Sequence, residues 1–154
     1  MRDRFTERAK QALRLANQEA HRFNHEVIGT EHILIGLVQL GAGVAATILK
    51  PRGVTVETVR QILQRMGYHG PGNNTVCIGR LGHTPGAERV IDWACEEARL
   101  LCHDYVCTEH LLMGLLRERE DVAAAVLREF GLTVENTRDA ILLLSPPGCH
   151  PATV

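Results

Sequence analysis

Thr30-Glu31-His32-Ile33-Leu34-Ile35-Gly36-Leu37 returns 78 positions later as Thr108-Glu109-His110-Leu111-Leu112-Met113-Gly114-Leu115. Extending outward from this pair, residues 6–63 align on residues 84–141 without a gap, and 21 of the 58 positions are identical. Val44-Ala45-Ala46 falls on Val122-Ala123-Ala124 in the same register. A period this long, present twice, predicts a pseudo-twofold globular domain rather than an open solenoid.

The helical plan follows from spacing and caps. Ala9, Leu13, Ala16, Ala20 and Phe23 recur at intervals of three and four, which marks one face of a helix opened by Thr6. Its counterpart runs from Thr84 to Leu101, with Pro85 at the first helical position, where its missing N–H costs nothing. Thr30, with Glu31 in the first turn, is expected to cap a second helix whose apolar body is Ile33, Leu34, Leu37, Val38 and Leu40. Shorter helices are predicted over Val44–Lys50 and over Val56–Met66, the latter opened by Thr55 after Gly53 ends its predecessor. Thr108–Arg117, Asp121–Glu129 and Val134–Leu144 repeat that plan. The fold class is therefore all-α, two tandem four-helix repeats. Residues 1–66 form the first repeat and 84–144 the second, with a Gly/Pro/Asn-rich linker at 67–83 and a disordered Pro-rich tail at 145–154.

Composition narrows the function. The formal net charge is −1 and the pI about 6.7, so nothing draws the chain toward nucleic acid or an anionic membrane. No apolar run reaches the roughly 20 residues of a membrane span, and the charged N-terminus lacks the apolar core of a signal peptide. A monomer in the cytoplasm is expected. Five cysteines at irregular spacing read as reduced thiols.

RFTERA at 4–9, IGTEHILIGL at 28–37, GVAA at 43–46, HTPGAERVI at 83–91, TEHLLMGL at 108–115 and DVAAAVL at 121–127 resemble the double Clp repeat. That is the N-terminal domain of the ClpA/ClpC class of Hsp100 unfoldases, and the likeness is strongest to ClpC. It implies a domain at the mouth of a protein-unfolding ring that receives adaptors and substrates. In ClpC-like domains each repeat can also hold a phosphorylated arginine, and those positions map here to Thr6 with Glu31 and to Thr84 with Glu109. Both pairs are 25 residues apart. The resemblance implies as partners a ClpC-type unfoldase, Clp adaptors or arginine-phosphorylated proteins.

The chemistry of these residues suits such a ligand. A phosphorylated guanidinium needs an acceptor-only carboxylate beside anion-friendly donors, which Glu31 or Glu109 and a threonine-capped helix N-terminus would supply. The same residues also suit any helix start, because threonine caps and first-turn glutamates are favourable without a ligand. The copies differ where the family carries Gly before Thr-Glu-His, here Gly29 and Cys107. They differ again where it carries Pro-Arg-Ala-Lys, here Pro85-Gly86-Ala87-Glu88. Loss of the basic residues lowers the phosphate affinity expected of the second site, so the first is favoured.

No GxxxxGK[ST] phosphate loop occurs, so this chain is not itself the ATP-driven motor. Its Pro-rich end favours a free-standing repeat protein over a fragment. Such a protein can recruit marked substrates, sequester the motor's ligands as a decoy, or act as an accessory subunit bracing the protease; the retained Thr and Glu residues favour ligand binding. His21-x3-His25 and the group Cys102, His103, Cys107 and His110 invite a metal, but neither has paired CxxC elements or HExxH, and no metal or other cofactor is assigned. The recurrent His25/His103 and His32/His110 read as buried hydrogen-bonding groups without a nucleophile to serve, so no enzyme activity is expected. Trp93 and Cys95 are expected in the core, and the Val-Ala-Ala segments at close helix contacts.

Overall fold

A computed structural model describes residues 4–68 and 81–145 of the chain. The first repeat contains α1 (Glu7–Arg22), β1 (Val27–Ile28), α2 (Thr30–Leu40), α3 (Val44–Leu49), a single 3₁₀ turn (Lys50–Arg52) and α4 (Val56–Arg65). The second contains β2 (Gly82–His83), α5 (Pro85–Leu100), α6 (Thr108–Arg117), α7 (Val122–Glu129) and α8 (Val134–Leu144). The eight helices fall where periodicity and capping place them, and the fold is all-α. Thr6, Thr55, Thr84 and Thr133 each accept a backbone N–H three residues on.

Small residues set the helix spacing. Ala9, Ala12, Ala16 and Ala20 line the buried face of α1, and α2 lies so close that a Cβ at Gly36 would strike the Ala12 carbonyl oxygen. Gly114 of α6 stands in the same relation to the Val90 carbonyl of α5. Each repeat is thus built on a tight helical hairpin, and Ile33, Leu34, Leu37, Leu111, Leu112 and Leu115 fill the core beneath it. The Val-Ala-Ala segments are buried as expected.

The repeats interlock. Helix α2 packs against α5, α6 and α7, and α3 packs against α6 and α8. β1 and β2 form a two-residue parallel pair, Val27 opposite Gly82 and Ile28 opposite His83, so the last residues of the expected linker belong to the fold. A matching bridge joins Phe5 to Val106. Arg52 also donates across the repeats to the carbonyls of Phe130 and Gly131, at 3.3 and 3.4 Å.

Four sequence expectations change. Thr30 is the first residue of α2 rather than its cap; Gly29 occupies the cap, and the Thr30 hydroxyl instead accepts from Ala123 N of α7 at 3.4 Å. Trp93 is only half-buried, because the Arg117 guanidinium lies over its ring at 4.1 Å and takes the place of core side chains. Cys95 is likewise half-buried. Ser145, placed in the disordered tail, is buried and closes the end of α8. Most of the linker (69–80), the remainder of the tail (146–154), Cys77 and Cys149 lie outside the described residues.

Candidate functional site

Each repeat holds two buried histidines in series. Gly29 N–H donates to His32 Nδ1 at 2.8 Å, which fixes the proton on Nε2, and that nitrogen bonds His25 Nδ1. The second repeat does the same through Cys107 N–H, His110 and His103, with 2.8 Å at both bonds. Burial disfavours the charged imidazole, and the neighbouring histidine adds repulsion, so His32 and His110 are pushed down to about 3. They are neutral capping groups that replace the side-chain cap which neither Gly29 nor Cys107 provides.

Next to each imidazole lies a buried carboxyl. Glu31 is 7% exposed and Glu109 is fully enclosed. Desolvation raises both, Glu31 to about 7, against the opposing pull of its own backbone hydrogen bond; Asp121 pushes Glu31 further in the same direction. Glu31 is therefore poised to hold or release a proton near neutrality. One oxygen of each carboxyl, Glu31 Oε2 and Glu109 Oε1, has no hydrogen-bond partner among the described residues.

The threonines do not face the glutamates 25 residues away. Thr6 starts α1, whereas Glu31 lines a cavity with Glu19 and Phe23 at the other end of that helix. Sixteen residues of α-helix, about 24 Å, lie between those ends. Chain pairing instead crosses the repeats: Thr6 N–H donates to the Val106 carbonyl at 3.0 Å, just before α6, and Thr84 N–H donates to the Ile28 carbonyl at 2.9 Å, just before α2. The expected partnership of Thr6 with Glu31 and Thr84 with Glu109 is thus exchanged. Thr84 belongs beside Thr30-Glu31, and Thr6 beside Thr108-Glu109.

A third helix start joins each group. Gly86 in the first turn of α5 lies against Asp121, the cap of α7, and Thr30 Oγ1 receives Ala123 N–H from the same helix. On the other side a Cβ at Gly43, the cap of α3, would lie 2.6 Å from Thr108 Oγ1, which receives Ala45 N–H at 3.4 Å. Three N-termini therefore converge twice: α2, α5 and α7 around Glu31, and α1, α3 and α6 around Glu109. Helix starts concentrate positive potential and outward N–H groups. The Thr6 and Thr84 oxygens accept the capping N–H at 3.2 and 3.1 Å, which leaves their hydroxyl protons available to an anion.

The two groups differ in charge. Asp121 occupies the position that is Gly43 in the first repeat, and Pro85 removes a backbone donor that Glu7 retains. An anion would meet an acid beside Glu31 but a glycine beside Glu109. Sequence comparison could have singled out Asp121 from its alignment with Gly43, but its proximity to Gly86 depends on the exchange of segments between the repeats.

His25, Glu31 and His32, and likewise His103, Glu109 and His110, bring one possible metal-ligand atom each within 4.8 Å of the others. Both nitrogens of His32 and of His110 are already engaged in the cap and the histidine pair, so a metal would have to break that chain. His21 and the described cysteines stand outside these groups. No single described helix is long and apolar enough to cross a membrane.

Comparison with known proteins agrees with this architecture. The family model of the Clp repeat (R) N-terminal domain matches residues 4–130. The chain is 43% identical over 140 residues to the chloroplastic chaperone protein ClpC2 of Oryza sativa subsp. japonica, covering 91% of this chain and 15% of that protein. It is 43% identical over 141 residues to the negative regulator of genetic competence ClpC/MecB of Bacillus subtilis (strain 168), covering 92% and 17%. It thus spans about a sixth of these relatives' length. The Hsp104 N-terminal domain of Candida albicans shares the fold, with a TM-score of 0.72 at 20% identity over 92% of each chain. Helix order, duplicated Thr-Glu-His segments and these matches together show that the chain belongs to the Clp repeat (R) N-terminal domain family.

Proposed function

We propose that this domain is a non-catalytic receptor of a Clp protein-degradation system that takes phosphoarginine side chains, or ligands of the same dipolar chemistry, on arginine-phosphorylated proteins. The observation that carries the reading is the twofold convergence of three helix N-termini around a buried glutamate with an unpartnered oxygen. Helix starts and the Thr6 or Thr84 hydroxyl suit a phosphoryl group, and Glu31 or Glu109 suits the guanidinium. Among the described residues no nucleophile or general base is aligned with a second reacting group, so binding fits the arrangement better than catalysis.

The sites would be unequal in two ways. Asp121 opposes an anion beside Thr84 and Glu31, whereas Glu109 is the more enclosed carboxyl and is shared with Ser145. The test is calorimetric titration of phosphoarginine, with arginine and phosphate as separate controls, into the wild type, Glu31→Ala and Glu109→Ala. Saturable heat lost in at least one variant is expected; no heat in the wild type, or equal affinity in all three, refutes the reading. Co-purification with a ClpC-type unfoldase and adaptors then separates recruitment from sequestration.

A further inference from the structure

The histidine chain is closed in one repeat and open in the other. In the second repeat His103 Nε2 bonds the Ser145 carbonyl at 3.0 Å, and the Ser145 side chain hydrogen-bonds the Glu109 carboxyl. One residue thereby pairs with the last imidazole and with the glutamate, of which Oε1 alone stays without a partner among the described residues. The 78-residue register carries Ser145 onto Gly67, which has no hydroxyl and turns away with φ +78°, its N–H bonded to the Gln64 carbonyl. In the first repeat His25 Nε2 consequently has no partner among the described residues, and Glu31 Oε2, like Glu109 Oε1, has none either, although both His25 and Glu31 are at least nine-tenths buried.

His25 and Glu31 line a cavity of about 200 Å³, whose lining also includes Ile35, Leu63 and the exposed Phe23 and Tyr68. The tautomer fixed by Gly29 and His32 makes His25 Nε2 a donor, and Glu31 Oε2 is an acceptor. A buried donor and acceptor left without partners are each costly, so a ligand that pairs with both recovers that energy.

We infer that this cavity binds a serine- or threonine-containing segment of a partner protein. The partner residue's carbonyl accepts from His25 Nε2–H and its hydroxyl donates to Glu31, as Ser145 does for His103 and Glu109. An apolar residue before it packs between Phe23 and Tyr68. The site shares Glu31 with the phosphoarginine reading but adds His25, which that reading does not use, so each can fail alone.

The probe is acetyl-Leu-Leu-Ser-Pro-amide, the chain's own sequence around Ser145, titrated into the isotopically labelled protein and followed by NMR. Saturable shifts at Phe23, His25 and Tyr68 are expected, with the alanine analogue bound about fivefold to tenfold more weakly for loss of one hydrogen bond. His25→Phe should abolish peptide binding while leaving phosphoarginine binding intact. Absence of saturable shifts at the cavity, equal affinity for the alanine peptide, or shifts confined to His103 and Ser145 would overturn the inference. The serine-against-alanine comparison is made on the wild type, so it holds even if the His25 variant fails to fold.

Discussion

Replacing Glu31 with Gln keeps the shape and neutrality of the protonated carboxyl and removes its titration. Burial raises Glu31 from 4.5 to about 7, so the folded protein binds a proton that the unfolded chain has lost between those values. Stability contributed by this group therefore falls as pH rises from 4.5 to 7, and the full shift corresponds to about 3 kcal/mol at about 1.4 kcal/mol per pKa unit. Between pH 5 and pH 8 the change is about 2 to 3 kcal/mol, or roughly 5–10 °C in Tm for a domain of this size. Denaturant unfolding of wild type and Glu31→Gln at both pH values isolates the term, because all other groups cancel in the double difference. The variant should gain about 2 to 3 kcal/mol relative to wild type at pH 8 over its standing at pH 5. A double difference below about 0.5 kcal/mol would mean that the carboxyl is solvated or paired, and would remove the basis for a poised acid.

His32 and His110, depressed to about 3, carry the opposite sign: the stability from their neutral forms is complete above 6.5 and is lost as pH falls toward 3. The raised glutamates offset this loss between 4.5 and 6.5, so Glu31→Gln/Glu109→Gln should begin to lose stability below pH 6.5, at higher pH than wild type, in an acid-unfolding series. Gly36→Ala forces a Cβ onto the Ala12 carbonyl and should cost about 3 kcal/mol in denaturant unfolding, despite alanine's better helix propensity. Glu97 is fully buried between Arg117 and Arg138, at 2.8 and 2.7 Å, and Glu97→Ala should lower stability by about 3 kcal/mol. Asp121→Gly copies Gly43 into the second repeat and should tighten phosphoarginine at the Glu31 side by roughly fivefold, worth about 1 kcal/mol, as read by calorimetry.

What was legible in the chain was whatever depends on neighbours within one helix. Thr6, Thr55, Thr84 and the Ala9-to-Ala20 face announce helix starts and a buried stripe because caps act over three residues and packing faces repeat every three to four. The recurrence of His32 and His110 pointed to a structural role, and the duplication pointed to two sites. The half-burial of Trp93 is not legible in the chain, because hydrophobicity alone does not register an arginine arriving from another helix. The burial of Ser145 leaves no mark in the sequence, because a single hydrogen-bonding residue carries no periodicity.

The sequence by itself determined eight helices, their caps and a doubled Thr-Glu-His core, since backbone hydrogen bonds and side-chain spacing within a helix are local. Which threonine lies beside which glutamate was decided only by the tertiary structure. A 16-residue helix carries Thr6 far from Glu31, while the strand pairing of Ile28 with His83 and the bridge from Phe5 to Val106 exchange partners between the repeats. Two related clusters of helix starts were written in the duplication; that each is built from both halves, with Asp121 in one where Gly43 stands in the other, follows from the way the halves interlock.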